Sequence, residues 1–143
     1  DELSRLFGAL LMPVPPWFVK AKAAWAATTA PAATTTAVIP VWRRPWVVLG
    51  GGTFAGDVLA RLGVSNVYAG APDRYPRPPL EELRALGADL VVLPDEPYAF
   101  GPGDGPEAFP GRRCVFVSGR HLTWYGPSLA EAPEVLRHQL EDR

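Results

Sequence analysis

The sequence predicts an α/β lobe of three layers, with helices on both faces of a mostly parallel sheet of about four strands, and a helical segment ahead of it. Three observations predict it. After Thr36, short apolar runs alternate with helical stretches, the pattern of strand–helix–strand units. Those runs are mostly apolar, as in strands covered on both faces. Residues 1–35 follow a different rule, spacing large apolar side chains at three- and four-residue steps.

The elements follow in order. "DELSRLFGALL" puts Leu3, Leu6, Phe7, Leu10 and Leu11 on one helical face. "PVPPW" breaks that helix, because proline lacks the amide donor and crowds the preceding turn. A second helix is expected over "WFVKAKAAWAA", with Trp17, Ala21, Ala24 and Trp25 on one side. "TTAPAATTT" is small and low in complexity and reads as a linker. Residues 1–35 are therefore taken as a helical connecting segment with its linker, and residues 36–143 as the α/β lobe.

Within the lobe, strands are expected at 37–42, 66–70, 89–94 and 114–119, with 45–50 a further short extended piece. Helices are expected at 53–62, 79–87 and 127–140, with a weaker turn or helix near 104–109. Right-handed crossovers then leave few topologies, and a Rossmann-like lobe is the expected one. No internal repeat is visible.

Composition narrows the function. The 143 residues are 48% apolar and 20% charged, the profile of one globular domain. A formal charge of −1, with no basic run longer than a pair, argues against a nucleic-acid surface. The single cysteine, Cys114, excludes an internal disulfide and a multi-cysteine zinc site. No stretch reaches the ~18 to 20 apolar residues of a membrane span. A start at Asp1 without an export signal reads as a mature product or a fragment.

"VVLGGGTFAGDVLARLG" admits two readings. Gly50, Gly52 and Ala55 satisfy the loose dinucleotide pattern, and Asp73 lies about twenty residues on. Against this, an earlier strand and a tryptophan loop precede the turn, and Asp73 sits well beyond its strand. The simpler reading gives the glycines a left-handed backbone or close packing, with Thr53 capping the following helix.

Ligands of open parallel sheets sit beyond the carboxyl ends of the strands. Here the first strand is followed by "WRRPW" with Trp42 and Trp46, and the second by "APDRYPRPP" with Tyr75. "PDEPYAF" with Glu96, Tyr98 and Phe100 follows the third, and "GRHLTWYGP" with Trp124 and Tyr125 the fourth. Every such loop carries a large ring and most carry proline, which suits a bulky flat ligand or a protein partner. The alternative is that some rings are core beneath the loops.

The polar residues do not form a catalytic set. Serine, cysteine and histidine are not spaced as a nucleophile with its base. Asp95 and Glu96 are adjacent, so in an extended segment they diverge; Glu96 is left to bond a ligand or cap a helix. No three- or four-ligand metal cluster is apparent. His138 falls on a charged helix far from His121, and Arg43 and Arg44 read as a solvated pair or as contacts for an anionic ligand.

"PVWRRPWVVLGGGTFAGDVLARLGVSNVYAGAPDRYP", "LPDEPYAF" and "LTWYGPSL", in that order, resemble the carboxy-terminal lobe of helical-backbone metal-chelate receptors. These are the substrate-binding proteins of ABC importers for cobalamin and iron siderophores, and the likeness is nearest to the cobalamin branch. It spans about residues 37–140, and "RLFGALLMPVPPWFVKAKAAW" resembles the segment before that lobe. The resemblance implies a two-lobed, extracytoplasmic receptor that clamps a corrinoid or ferric chelate between aromatic rims, with no chemistry of its own. It implies that Tyr75 faces the ligand together with Trp42, Trp46, Trp124 and Tyr125. It also implies that Glu81, with Glu82 adjacent, docks onto arginines of the transporter permease. Two departures stand out: Pro13, Pro15 and Pro16 interrupt the connecting helix, and no amino-terminal lobe is present, so that lobe or a second copy would complete the clamp. Two other functions remain alternatives: a nucleotide-dependent enzyme built on Gly50 and Gly52, and a protein-interaction domain using the rim.

Overall fold

The structure, a computed structural model, describes residues 2–32 and 34–142. Its centre is a four-stranded, all-parallel sheet in the order β4-β1-β5-β6. The strands are β1 (Thr35–Val38), β4 (Val64–Asn66), β5 (Leu90–Pro94) and β6 (Arg113–Val117). β1 pairs in register with β4 at Thr35–Val64 and with β5 at Ala37–Leu90, while β5 pairs along its whole length with β6. All five residues of β5 are buried, as expected of an inner strand with helices on both sides.

The two-residue period of a strand divides the interior into two cores. Ala37, Leu90, Val92, Val115 and Val117 point to one face. There they meet α3 (Phe54–Arg61), α5 (Gly119–Thr123) and α6 (Ala132–Glu141) through Val58, Leu59, Leu122, Leu136 and Leu140. Val38, Val91 and Leu93 point the other way, against Leu83 of α4 (Leu80–Ala85) and Phe109 beyond a 3-10 turn at Pro106–Ala108. The expected three layers are present.

Several boundaries differ from expectation, each for a local reason. The run 37–42 is two elements: β1 ends at Val38, and β2 (Pro40–Trp42) follows after one residue, with β3 (Val47–Val48) turning back to pair antiparallel with it. The second strand is Val64–Asn66 rather than 66–70. Asn66 ends it, accepting the Tyr68 N–H at Oδ1 (3.0 Å) and starting a turn. Residues 127–140 divide into a 3-10 turn at Pro127–Ala130 and α6, which opens with Pro133 in its first turn. α5 lies in a stretch read as loop; Ser118 caps it.

Ahead of the sheet lie α1 (Glu2–Ala9) and α2 (Pro16–Ala26), separated at the prolines as expected. α2 buries Phe18 and Ala21 rather than Trp17, and the Trp25 indole donates to the Leu129 carbonyl (3.0 Å). The helical segment is thus fastened to the lobe. Among the described residues, no helix is long and apolar enough to cross a membrane.

Candidate functional site

Four strand ends converge on one cleft of about 520 Å³. Its floor is Ile39, Val41 and Leu49, from the β1–β2–β3 region. Its rim holds Trp42 from β2, Tyr75 from the loop after β4, Glu96 from the loop after β5, and Trp124 with Tyr125 after α5. The rings are exposed at 44% for Trp42, 56% for Tyr75, 60% for Trp124 and 64% for Tyr125, so these four are not core. A cleft of this volume lies in the range of small-molecule sites, about 300–1,000 Å³.

Each ring has its own support. Trp42 meets the Tyr98 ring edge-on at 5.5 Å between centroids. Tyr125 lies against Phe54 at 4.4 Å, and Phe54 in turn packs on the core. The Trp124 indole donates to Glu96 Oε2 (3.3 Å). The Tyr75 loop is held to β3 and the glycine turn after it by two backbone bonds, Val48 N–H to the Pro76 carbonyl (3.0 Å) and Gly50 N–H to the Arg74 carbonyl (2.7 Å).

The glycine turn has its cause here. A Cβ on Gly50 would meet the Asp73 carbonyl oxygen at 2.1 Å, and one on Gly51 would meet two carbonyl oxygens at 2.6 Å. Gly52 has φ +63°, in the left-handed region. Close approach explains the first two glycines and backbone conformation the third. Thr53 caps α3 as expected, its hydroxyl accepting the Gly56 N–H (3.1 Å).

Three expectations are corrected. Trp46 is not on the rim. Its ring stacks on Phe100 (6.1 Å, 9° between planes) and meets Phe109 edge-on (5.3 Å), within the second core. Arg43 is not solvated: with 14% of its side chain exposed, it lies over Trp46 and pairs with Asp104 and Glu107. Burial alone would lower its pKa, but the two carboxylates outweigh this and raise it. The Tyr98 hydroxyl and the Arg43 guanidinium together hold Asp104 below the usual carboxylate range, and the Gly105 N–H does the same for Glu107.

The third correction concerns serine and histidine. Ser118 Oγ lies 2.7 Å from His121 Nδ1, and Glu131 Oε1 lies 2.8 Å from His121 Nε2. These are the distances of a nucleophile, base and acid. Ser118, however, is the cap of α5 and lies outside the residues lining the cleft. Asp95 is likewise structural, its Oδ1 accepting the Gly119 N–H (2.7 Å), which leaves Glu96 as the carboxylate facing the cleft. Burial raises the Cys114 thiol pKa, disfavouring a reactive thiolate. Among the described residues no group of three His, Cys, Asp or Glu side chains is placed to hold a metal ion.

Glu81 sits apart from the cleft, exposed in the first turn of α4, and its carboxylate has no partner among the described residues. Its neighbour Glu82 accepts from the Tyr68 hydroxyl (2.6 Å). Burial, then the bond and charge of Glu82, raises the Tyr68 pKa. The sequence reading missed Arg74, Phe54 and the aliphatic floor as cleft residues. Arg74 stood in the quoted Tyr75 loop, but nothing in the sequence distinguished it from Arg77.

No family model matches the sequence, and a search of curated proteins finds no match. Solved structures do match. The periplasmic vitamin B12-binding protein of Vibrio cholerae is 14% identical with a TM-score of 0.64, covering 87% of this chain and 49% of its own. The periplasmic heme-binding protein of Vibrio cholerae is 16% identical with a TM-score of 0.62, covering 87% and 53%. A protein of the Fe3+-hydroxamate transport system of Saccharomonospora viridis is 17% identical with a TM-score of 0.61, covering 88% and 47%. The chain spans about half the length of these proteins. Its fold is that of one lobe of such a binding protein, in agreement with the carboxy-terminal lobe that the sequence resembles.

Proposed function

We propose that this chain is a ligand-binding lobe of the extracytoplasmic binding component of an ABC importer, and that its cargo is a metal chelate. The observation that carries the reading is the convergence of Trp42, Tyr75, Trp124 and Tyr125, from three separate stretches of the chain, around one apolar-floored cleft. A planar macrocycle or chelate laid on these rings removes apolar surface from water at about 25 cal/mol per Å². Glu96 and Arg74 supply one acceptor and one donor at the margin, which orient a polar substituent. The lobe needs no catalytic group for this task, and the metal arrives as part of the cargo. The structural neighbours bind vitamin B12 and heme, and one belongs to an Fe3+-hydroxamate system; this supports a chelate without choosing among corrinoid, heme and siderophore.

The rim presents one face only. The opposite face of the chelate is left for an amino-terminal lobe or a second copy. Glu81, exposed and without a partner among the described residues, is the proposed contact for basic residues of the permease, whereas Glu82 is engaged by Tyr68.

The test is a tryptophan-fluorescence titration with cyanocobalamin, hemin and a ferric hydroxamate. At least one should quench saturably, and Trp124→Ala should weaken that binding about tenfold or more, as loss of a ring contact and its buried area requires. Absence of saturable quenching by all three, or equal affinity in the variant, overturns the reading.

A further inference from the structure

His121 lies behind the cleft wall rather than in it. Its ring spans from Ser118, the cap of α5, to Glu131, the residue that precedes α6. Between those two anchors the chain runs through α5, then Trp124, Tyr125 and Gly126, then the 3-10 turn at Pro127–Ala130. The imidazole therefore closes the base of the excursion that carries two of the four rim rings.

Other polar ties act on the same excursion: the Trp124 indole donates to Glu96 Oε2 (3.3 Å), and Gln139 joins the start of α5 to α6. Asp95 takes the Gly119 N–H (2.7 Å), Gln139 takes the Ser118 N–H (2.9 Å), and the Thr123 hydroxyl donates to the Gly119 carbonyl (2.7 Å). These fix the start of α5. Trp25 holds the far side through the Leu129 carbonyl (3.0 Å). His121 adds a side-chain link from Ser118 to Glu131, at the two ends of the excursion. One arrangement of donors and acceptors satisfies the whole chain: the Ser118 hydroxyl donates to Nδ1, and Nε2–H donates to Glu131. Only 16% of the His121 side chain is exposed, so these bonds are largely shielded on the imidazole side.

We propose that His121 is a positioning residue for the cleft, holding α5 to the start of α6 so that Trp124 and Tyr125 stay at the rim. The inference rests on reading the cleft as the ligand site. It assigns a task to a histidine that makes no contact with the ligand.

Two kinds of measurement test it on His121→Ala and His121→Gln. Glutamine offers an oxygen acceptor and an N–H donor at a spacing similar to that of the two ring nitrogens. Amide hydrogen exchange of the intact chain reports the loop without any ligand. In His121→Ala, amides of residues 120–126 should exchange about tenfold faster, the effect of losing one to two hydrogen bonds, while those of Val91–Leu93 change less than about twofold. His121→Gln should recover most of that protection. Affinity for cyanocobalamin and hemin should fall about tenfold in the alanine variant and return in the glutamine variant. Uniform acceleration across the molecule shows a merely structural role and overturns the proposal. So does unchanged exchange at 120–126, or a loosened loop with unchanged affinity. If the unaltered chain binds neither compound, the exchange pattern still decides whether His121 fixes the loop, while the proposed function fails by itself.

Discussion

Replacing Gly50 by alanine probes the contact on which the Tyr75 side of the cleft depends. The added Cβ would lie 2.1 Å from the Asp73 carbonyl oxygen, 2.7 Å from Pro76 Cδ and 3.0 Å from the Arg74 carbonyl carbon. Ordinary contact begins near 3.4 Å, so the backbone of 73–76 must retreat by roughly 1 Å. That retreat breaks two bonds, from the Gly50 N–H to Arg74 and from the Val48 N–H to Pro76. With about 1 kcal/mol for each bond and about 1 kcal/mol for overpacking, the loss should be about 3 kcal/mol. Urea denaturation with m near 1.5 kcal/mol/M should show the midpoint falling by about 2 M at unchanged slope. Gly70→Ala serves as the control, since a Cβ there meets nothing within 4 Å. It should cost less than about 0.5 kcal/mol. A Gly50→Ala loss as small as that of the control would refute the close-approach account.

Asn66 is buried and bonds the Leu49 carbonyl (2.8 Å), the Gly50 carbonyl (3.2 Å) and the Tyr68 N–H (3.0 Å). Asn66→Ala should cost about 3 kcal/mol in the same urea assay, because all three partners lose their bond. Trp25→Phe keeps the ring but removes the donor to Leu129. It should cost about 1 kcal/mol and speed amide exchange in α2 more than in β5. Asp104 and Glu107 have lowered pKa values in the folded state, so their contribution is present above the unfolded values near ~4 and is lost as pH falls through the folded ones. The melting temperature of the native chain should therefore drop more steeply below about pH 4 than that of Arg43→Gln; parallel curves would contradict the pairing.

What the sequence made legible follows from the range over which each signal acts. β5 was readable because Leu90–Leu93 form an unbroken apolar run, and α3 because Thr53 caps it at the start of a helical pattern. The two α/β core faces need only strand alternation. β4 was displaced because Asn66, readable as a strand residue, spends its side chain on a turn. α5 escaped notice because its five residues are too few to show a helical period. The rim was legible as a set of strand-end loops, but not ring by ring. Trp42 and Trp46 lie in the same short motif, yet the turn after β2 sends one to solvent and the other onto Phe100. Arg43 was unreadable for a related reason: Asp104 and Glu107, which hold it, are about sixty residues away.

Indole-resolved NMR during a titration tests the central claim most directly. The claim is that the strand-end rings form one ligand platform. On addition of cyanocobalamin, or of a gallium protoporphyrin as a diamagnetic heme analogue, the Nε1–H signals of Trp42 and Trp124 should shift or broaden together. Those of Trp17 and of Trp25, bonded to Leu129, should hold still. Movement of the Trp17 signal with Trp42 and Trp124 unchanged would contradict the account, as would no movement of either rim indole at saturating concentrations of both compounds.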